Sequence, residues 1–249
     1  MSGHSKWATI KHKKGAQDKA RGKLFAKLIR QIEVAAREGG GDVSSNANLR
    51  TMVQKARDNS VPVTTIDRAV KRGTGELEGT RYEAIAYEGY GPGGVAVIVE
   101  CLTDNRNRTG ADVRGAFSRS GGSLAEPGAV SWQFARTGVI RVSGGADEEG
   151  LFAAAAGAGA DDLADGDDGW SVTCAAAQIS AVRGAIESEG YEVLSADVLL
   201  MPQSSVPVPD ETEARKVLRL VESLEDLDDV QEVIANFDIP DAILEGLVE

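Results

Sequence analysis

The stretch "RYEAIAYEGYGPGGVAVIVECLTDNRNRTG" (residues 81–110) decides the fold. Gly89, Gly91 and Gly94 spell G-x-G-x-x-G, the spacing of a dinucleotide-binding turn. That turn works only when a strand feeds it and a helix leaves it, so that the helix N-terminus meets the pyrophosphate. Here the β-branched run "VAVIV" (95–99) leaves it, and Pro92 sits inside. The segment therefore reads as a β-hairpin closed by "GYGPGG". A helix follows only at "NRTGADVRGAFSRSGG", with Val113 and Phe117 one turn apart. Two strands and a helix in that order predict an antiparallel sheet covered on one face.

Upstream the period is helical. "KLFAKLIRQIEVAARE" places Leu24, Phe25, Leu28, Ile29, Ile32 and Ala36 on one apolar stripe, with Lys23, Lys27, Arg30 and Arg37 around it. "EGGGD" (38–42) ends it. "NLRTMVQKARD" aligns Leu49, Met52, Val53 and Ala56 in a second helix. A third, "TTIDRAVKR", opens after Pro62 with a capping-box-like Thr64 and Asp67 and is expected to stop at Gly73. Downstream, "AVSWQFA" and "GVIRV" read as two short strands linked by Arg136-Thr137-Gly138. A helix (147–159), a strand "GWSVTCA", a helix "AAQISAVRGAIESEG" and a strand "EVLSADVLLMP" follow. The amphipathic "DETEARKVLRLVESLED" carries Val217, Leu220, Val221 and Leu224 in register, and "DVQEVIANFD" is a final strand.

This order predicts an α+β protein: a helical N-terminal domain, then two α/β domains with antiparallel sheets covered by helices. The first hairpin and helix lack sheet partners until the last strand. The expected division is 1–78, a discontinuous domain of 79–128 with 198–249, and an inserted acidic domain at 129–197.

Composition excludes several classes. The chain of 249 residues is 42% hydrophobic and 27% charged, which is globular composition. Its apolar runs fall far short of the ~20 residues that cross a bilayer. Cys101 and Cys174 lie far apart with no flanking histidine and read as small buried hydrophobes. His4 and His12 are the only histidines, eight residues apart with no cysteine nearby, which is too few ligands for zinc. They also have no nucleophile to serve. The carboxylates fall in runs ("ADEEG", "ADDLADGDD", "LEDLDD") that read as solvated rather than as a tuned acid–base pair. "DDLADGDDG" lacks the spacing of a calcium loop and is expected to be a solvated acidic loop. No metal, cofactor, small-molecule substrate or membrane contact is expected, and the chain is not expected to be an enzyme.

The charge is polarised. Residues 1–72 hold 16 Lys/Arg against 6 Asp/Glu, whereas residues 142–249 hold 4 against 25, within a total of -12. A basic head on an acidic body suits a polyanion partner at one end only. Trp7 and Ile10 supply a little apolar surface, but "KHKKGAQDKARGK" has no apolar side to lie on a membrane. The stripe from Leu24 leads into a helix that needs the next two, unlike a cleavable presequence. What remains is a cation-rich arm with one aromatic, either a solvated tail or a phosphate-backbone contact with a stacking side chain. The candidate contacts are Lys6, Trp7, Lys11, His12, Lys13, Lys14, Lys19, Arg21, Lys23, Lys27 and Arg30. A second cluster, Arg106 and Arg108 in "TDNRNRTG", stands at a helix start that favours anions. The alternative there is ion pairing with the protein's own acids.

"MSGHSKWATIKHKKGAQDKARGKLFAKLIRQI", "ARDNSVPVTTIDRAVKRGTG", "YEGYGPGGVAVIVECLTDNRNRT", "GSLAEPGAVSWQFARTGVI" and "VPVPDETEARKVLRLVESLEDLDDVQEVIANFDIPD" resemble successive blocks of the YebC/PmpR family. The resemblance spans nearly the whole chain and departs at the acidic, alanine-rich 146–169. It implies three domains and a cytoplasmic bacterial protein without cofactor or catalytic residues. "SGHSKW" standing near the start, with no presequence, fits a bacterial rather than an organellar member. Bacterial members are widely described as DNA-binding transcriptional regulators. Mitochondrial relatives are translational activators, and some bacterial members act on the ribosome to relieve stalling. The resemblance thus implies a nucleic-acid partner, either DNA or ribosomal RNA and tRNA on the ribosome. It carries over Lys6, Trp7, Lys11, Lys13, Lys14, Arg106 and Arg108.

Overall fold

The structure, a computed structural model, describes residues 17–166 and 169–248. Its elements run α1 (Gln17–Gly39), α2 (Ala47–Asp58), α3 (Val63–Thr74), β1 (Glu83–Tyr90), β2 (Ala96–Thr103), α4 (Arg106–Arg119) and β3 (Ser123–Leu124). Then come β4 (Phe134–Ser143), α5 (Glu148–Gly157), β5 (Ala160–Gly166), β6 (Gly169–Ala175), α6 (Ile179–Ser188) and β7 (Val193–Pro202). The chain closes with β8 (Val206–Pro207), α7 (Glu211–Glu225), β9 (Val230–Ala235), β10 (Phe237–Asp238) and α8 (Asp241–Val248). The fold is α+β, helical first and then sheets covered by helices.

The three N-terminal helices close on a core of their own: Leu28, Ile32, Leu49, Val53, Ile66 and Ala69 are buried against one another. Asn46 makes the first corner. Its side chain accepts from Leu49 N at 3.0 Å to cap α2 and donates to the carbonyls of Ala35 and Gly40 at 2.8 Å. Two expectations fail here. α3 begins directly after Pro62 without a side-chain cap, so Thr64 is already inside the helix and no capping box forms. Gly73 does not end α3, which runs to Thr74 and turns out through Gly75 at φ +85°. Gly73 is instead buried where α3 crosses α1. A Cβ there would lie 2.5 Å from the Glu33 carbonyl oxygen and 2.7 Å from Ala36 Cβ.

β1 and β2 form the expected hairpin through the turn at Pro92–Gly94, in the antiparallel order β3-β1-β2-β9. The run "VAVIV" is apolar at every position because β2 is buried on both faces. Val97, Val99 and Cys101 face α4 and α7, packing on Phe117, Val217, Leu220 and Val221. Ala96 and Ile98 face the other way, onto Val130, Phe134 and Leu200. Residues 206–244 therefore complete a core begun at Val95.

Between them lies β4-α5-β5-β6-α6-β7, with sheet order β5-β6-β4-β7 and both helices on one face over Ile140, Val142, Leu151, Val172 and Ile186. This is the split βαβ arrangement of ferredoxin-like folds. β4 is one continuous strand where two short ones were expected. Gly138, which looked like a turn, sits mid-strand because a Cβ there would press on Cys174 Sγ at 2.7 Å and on Ile179 of α6. Residues 160–166 are not a solvated loop but edge strand β5, paired with β6 through Leu163↔Val172. Asp161, Asp162 and Asp165 stay exposed on it. β7, the opposite edge, pairs with β4 as far as Pro202↔Phe134, so it crosses the boundary expected at 197/198. Cys101 and Cys174 are buried free thiols, and burial pushes the Cys101 thiol up to about 12.

Candidate nucleic-acid interface

Lys6, Trp7, Lys11, His12, Lys13 and Lys14 lie outside the described residues. Lys19 falls in the first turn of α1. Arg21 is exposed and lies 5.3 Å from the centre of the Phe25 ring. Lys23, Lys27 and Arg30, spaced four and three apart, share one face of α1.

That face does not look into open solvent. It meets the loop from Glu225 to Asp229 that joins α7 to β9. Lys23 Nζ donates to the Asp226 carboxylate at 2.7 Å and to its carbonyl at 3.0 Å. Lys27 reaches the Glu225 carbonyl at 3.4 Å. Arg30 donates to the Asp228 carbonyl, stands 3.5 Å from the Asp229 carboxylate, and lies 5.4 Å from the centre of the Tyr82 ring.

Asp229 is the centre of this junction. Only 7% exposed, it accepts from Arg108 at 2.7 Å, Thr109 Oγ1 at 2.7 Å and Thr103 Oγ1 at 3.2 Å. Burial alone would push its carboxyl up. The Arg108 guanidinium and the threonine hydroxyls outweigh burial and hold it below the usual range. Sequence reasoning placed Asp229 in a solvated acidic run. The signal that separates it from Asp226 and Asp228 is its position directly before the apolar strand "VQEVIA".

Asn105 caps α4, accepting from Arg108 N at 3.1 Å, as the helix-start expectation requires. The side chains at that start are occupied. Arg108 spans Asp104 and Asp229, and these partners raise its pKa further. Arg106 stands 3.8 Å from Glu83 in an exposed pair, which contributes little. Structure thus brings Arg30 and Arg108 together around a cleft of about 600 Å³, with Tyr82, Asp104, Asp226 and Asp229 on its walls. Five aspartates line it against two arginines, so the cleft is not an anion cradle.

The sequence reading passed over the exposed cations Lys55 and Arg57 of α2 and Arg68 and Lys71 of α3. Their signal was available, since each lies off the apolar stripe of its own helix. Among the described residues no group of three or more His, Cys, Asp or Glu is arranged to hold a metal ion. No helix among them is long and apolar enough to cross a membrane.

The molecule is thus a basic three-helix head, touched by an acidic loop of a body built from two antiparallel α/β units. Comparison with known proteins gives the family. The profile of the TACO1/YebC N-terminal domain matches residues 5–76, and that of the TACO1/YebC second and third domains matches residues 82–237. This chain belongs to the TACO1/YebC family, the one its sequence blocks resembled as YebC/PmpR. A relative from Halothermothrix orenii is 51% identical across the whole of both chains, and one from Beutenbergia cavernae is 54% identical, again across both. Each is named "Probable transcriptional regulatory protein". The crystal structure of a conserved hypothetical protein, Aq1575 from Aquifex aeolicus, is similar with a TM-score of 0.78 and 44% identity, covering 90% of this chain and 93% of that one.

Proposed function

We propose that this protein is a non-enzymatic, nucleic-acid-binding regulator of gene expression that works in the cytoplasm through its basic N-terminal segment. The observation that carries this is the charge division: 16 Lys/Arg against 6 Asp/Glu in residues 1–72, on a body whose last 108 residues hold 4 against 25. Phosphate contacts come from Lys6, Lys11, Lys13, Lys14, Lys19 and Arg21, with Trp7 offering a ring for stacking. The names of the relatives support duplex DNA near promoters as the target. The charge division favours a second target, ribosomal RNA or tRNA on the ribosome. An acidic body is repelled by an extended duplex footprint but tolerates insertion of a basic arm alone.

One experiment separates these. The protein is sedimented with ribosomes at near-physiological salt in the presence of promoter-length duplex DNA, beside the Lys11→Ala, Lys13→Ala, Lys14→Ala triple variant. Wild type travelling with ribosomes while the variant stays behind assigns the translational role; wild type retained on DNA assigns the transcriptional one. Removing three phosphate contacts should also flatten the dependence of log K on log salt by roughly 2 to 3. Unchanged binding by the triple variant sinks the assignment of the arm.

A further inference from the structure

We propose that the acidic loop Glu225–Asp229 is a built-in competitor for the cationic face of α1. That face is a second polyanion surface, exposed when a phosphate backbone displaces the loop and the helical head swings from the body. The idea rests on the nucleic-acid reading above for the identity of the polyanion, but not for the existence of the latch.

Two observations carry it. The first is the chemistry of the contacts. Lys23, Lys27 and Arg30 are met by oxygens throughout: the Asp226 and Asp229 carboxylates and the carbonyls of Glu225, Asp226 and Asp228. A row of oxygens along one face of a cationic helix is also what a phosphate backbone offers. The second is what the seam lacks. Among the described residues the buried apolar cluster of the head, from Leu28 to Ala69, is made of head residues alone, and where α1 also nears the middle sheet it does so through the polar Gln31, beside Ala84, Leu102 and Gln231. The inserted α/β unit is fixed differently, by Val130, Phe134 and Leu200 packed on Ala96, Ile98 and Ile234. Apolar burial therefore holds the inserted unit on the middle sheet, while the described contacts of α1 with the loop are charged and polar. Salt screens such contacts and leaves an apolar core intact. Asp226 is 79% exposed, so the Lys23 pair is within reach of a competing anion.

The test places donor and acceptor dyes at Asp58→Cys on α2 and Arg114→Cys on α4, both exposed positions. Energy transfer should fall as salt rises from about 0.05 to 0.5 M, where the Debye length shortens from roughly 14 to 4 Å. It should also fall at low salt on adding a single-stranded RNA of about 30 nucleotides, or heparin as a polyanion without bases. Asp226→Lys should start from the low-transfer state and bind the RNA roughly threefold to tenfold tighter than Glu222→Lys, a control with the same charge change one turn earlier. Equal transfer and equal affinity in the two variants overturn the proposal. Reduced transfer in Asp226→Lys without the gain over Glu222→Lys also overturns it, because the exposed face is then no polyanion surface. A wild type that opens with salt and heparin but never binds RNA or DNA leaves the latch standing and removes the function proposed above.

Discussion

Asp229→Ala should destabilise the body by on the order of 2 kcal/mol, the range expected when a buried acceptor serving a charged donor is removed. The loss exceeds that of an ordinary carboxylate because four donors depend on this one. Arg108, Thr103 and Thr109 bond to it directly, and Arg30 of the head approaches to 3.5 Å. Without it Arg108 keeps only Asp104, and Thr103 and Thr109 lose the carboxylate they share, at the place where α4, β2 and β9 meet. Denaturant unfolding of the two proteins gives the difference. Its pH dependence tests the cause. The folded carboxyl titrates below its unfolded value, so its contribution is complete above about pH 4 and fades as pH falls through the folded value. The gap between wild type and Asp229→Asn should therefore narrow on acidification below that point. A gap that stays constant down to low pH would show that Asp229 acts through shape rather than charge.

Gly73→Ala should destabilise the head by roughly 2–3 kcal/mol, in the range of overpacking costs. Helix propensity makes the opposite forecast, a gain of about 1 kcal/mol for replacing an interior glycine. The contact decides between them. The added Cβ would meet the Glu33 carbonyl oxygen at 2.5 Å and Ala36 Cβ at 2.7 Å, and neither atom can rotate away. The same crossing carries the Arg72–Glu33 pair, at 2.6 Å with Glu33 only 5% exposed on its side chain, so prising α3 from α1 strains that pair as well. Because the head has its own core, far-UV circular dichroism should lose helix signal at a lower temperature while the sheets persist. Stabilisation by Gly73→Ala would refute the close approach.

Much of this architecture was legible because period and burial agree. The α1 stripe is read correctly from Phe25 to Ala36, since that face packs within its own three-helix unit, whereas Leu24, expected on the stripe, stays exposed. The hairpin at 83–103 is read from what leaves the glycine turn. Glycine misled where it served packing rather than turning. Gly73 and Gly138 look like stops in one dimension, but each marks a place where a neighbouring helix comes too close for a side chain. The acidic 160–166 looked like a loop because edge strands carry charge, and composition cannot distinguish a charged edge from a solvated coil.

The candidate site was less legible for a related reason. Periodicity puts Lys23, Lys27 and Arg30 on one face but does not say what that face meets. Their partners lie about 200 residues away in sequence, at separations of 198 to 203. Arg108 is similar: its helix-start position was readable, whereas Asp229, 121 residues on, was not. Charge composition identified which end of the molecule is basic. It could not show that part of that charge is already matched by the other end.

The two edges of the inserted sheet differ in what they offer an incoming strand. At β5, an approaching chain would have to lay its backbone alongside Asp161, Asp162 and Asp165, so growth of the sheet is blocked there by like charge and hydration. At β7, Leu194, Val198 and Leu199 remain 52%, 43% and 40% exposed, and Asp197 is the one acidic residue of the strand. The two edges are thus unequal, with charge guarding β5 more heavily than β7.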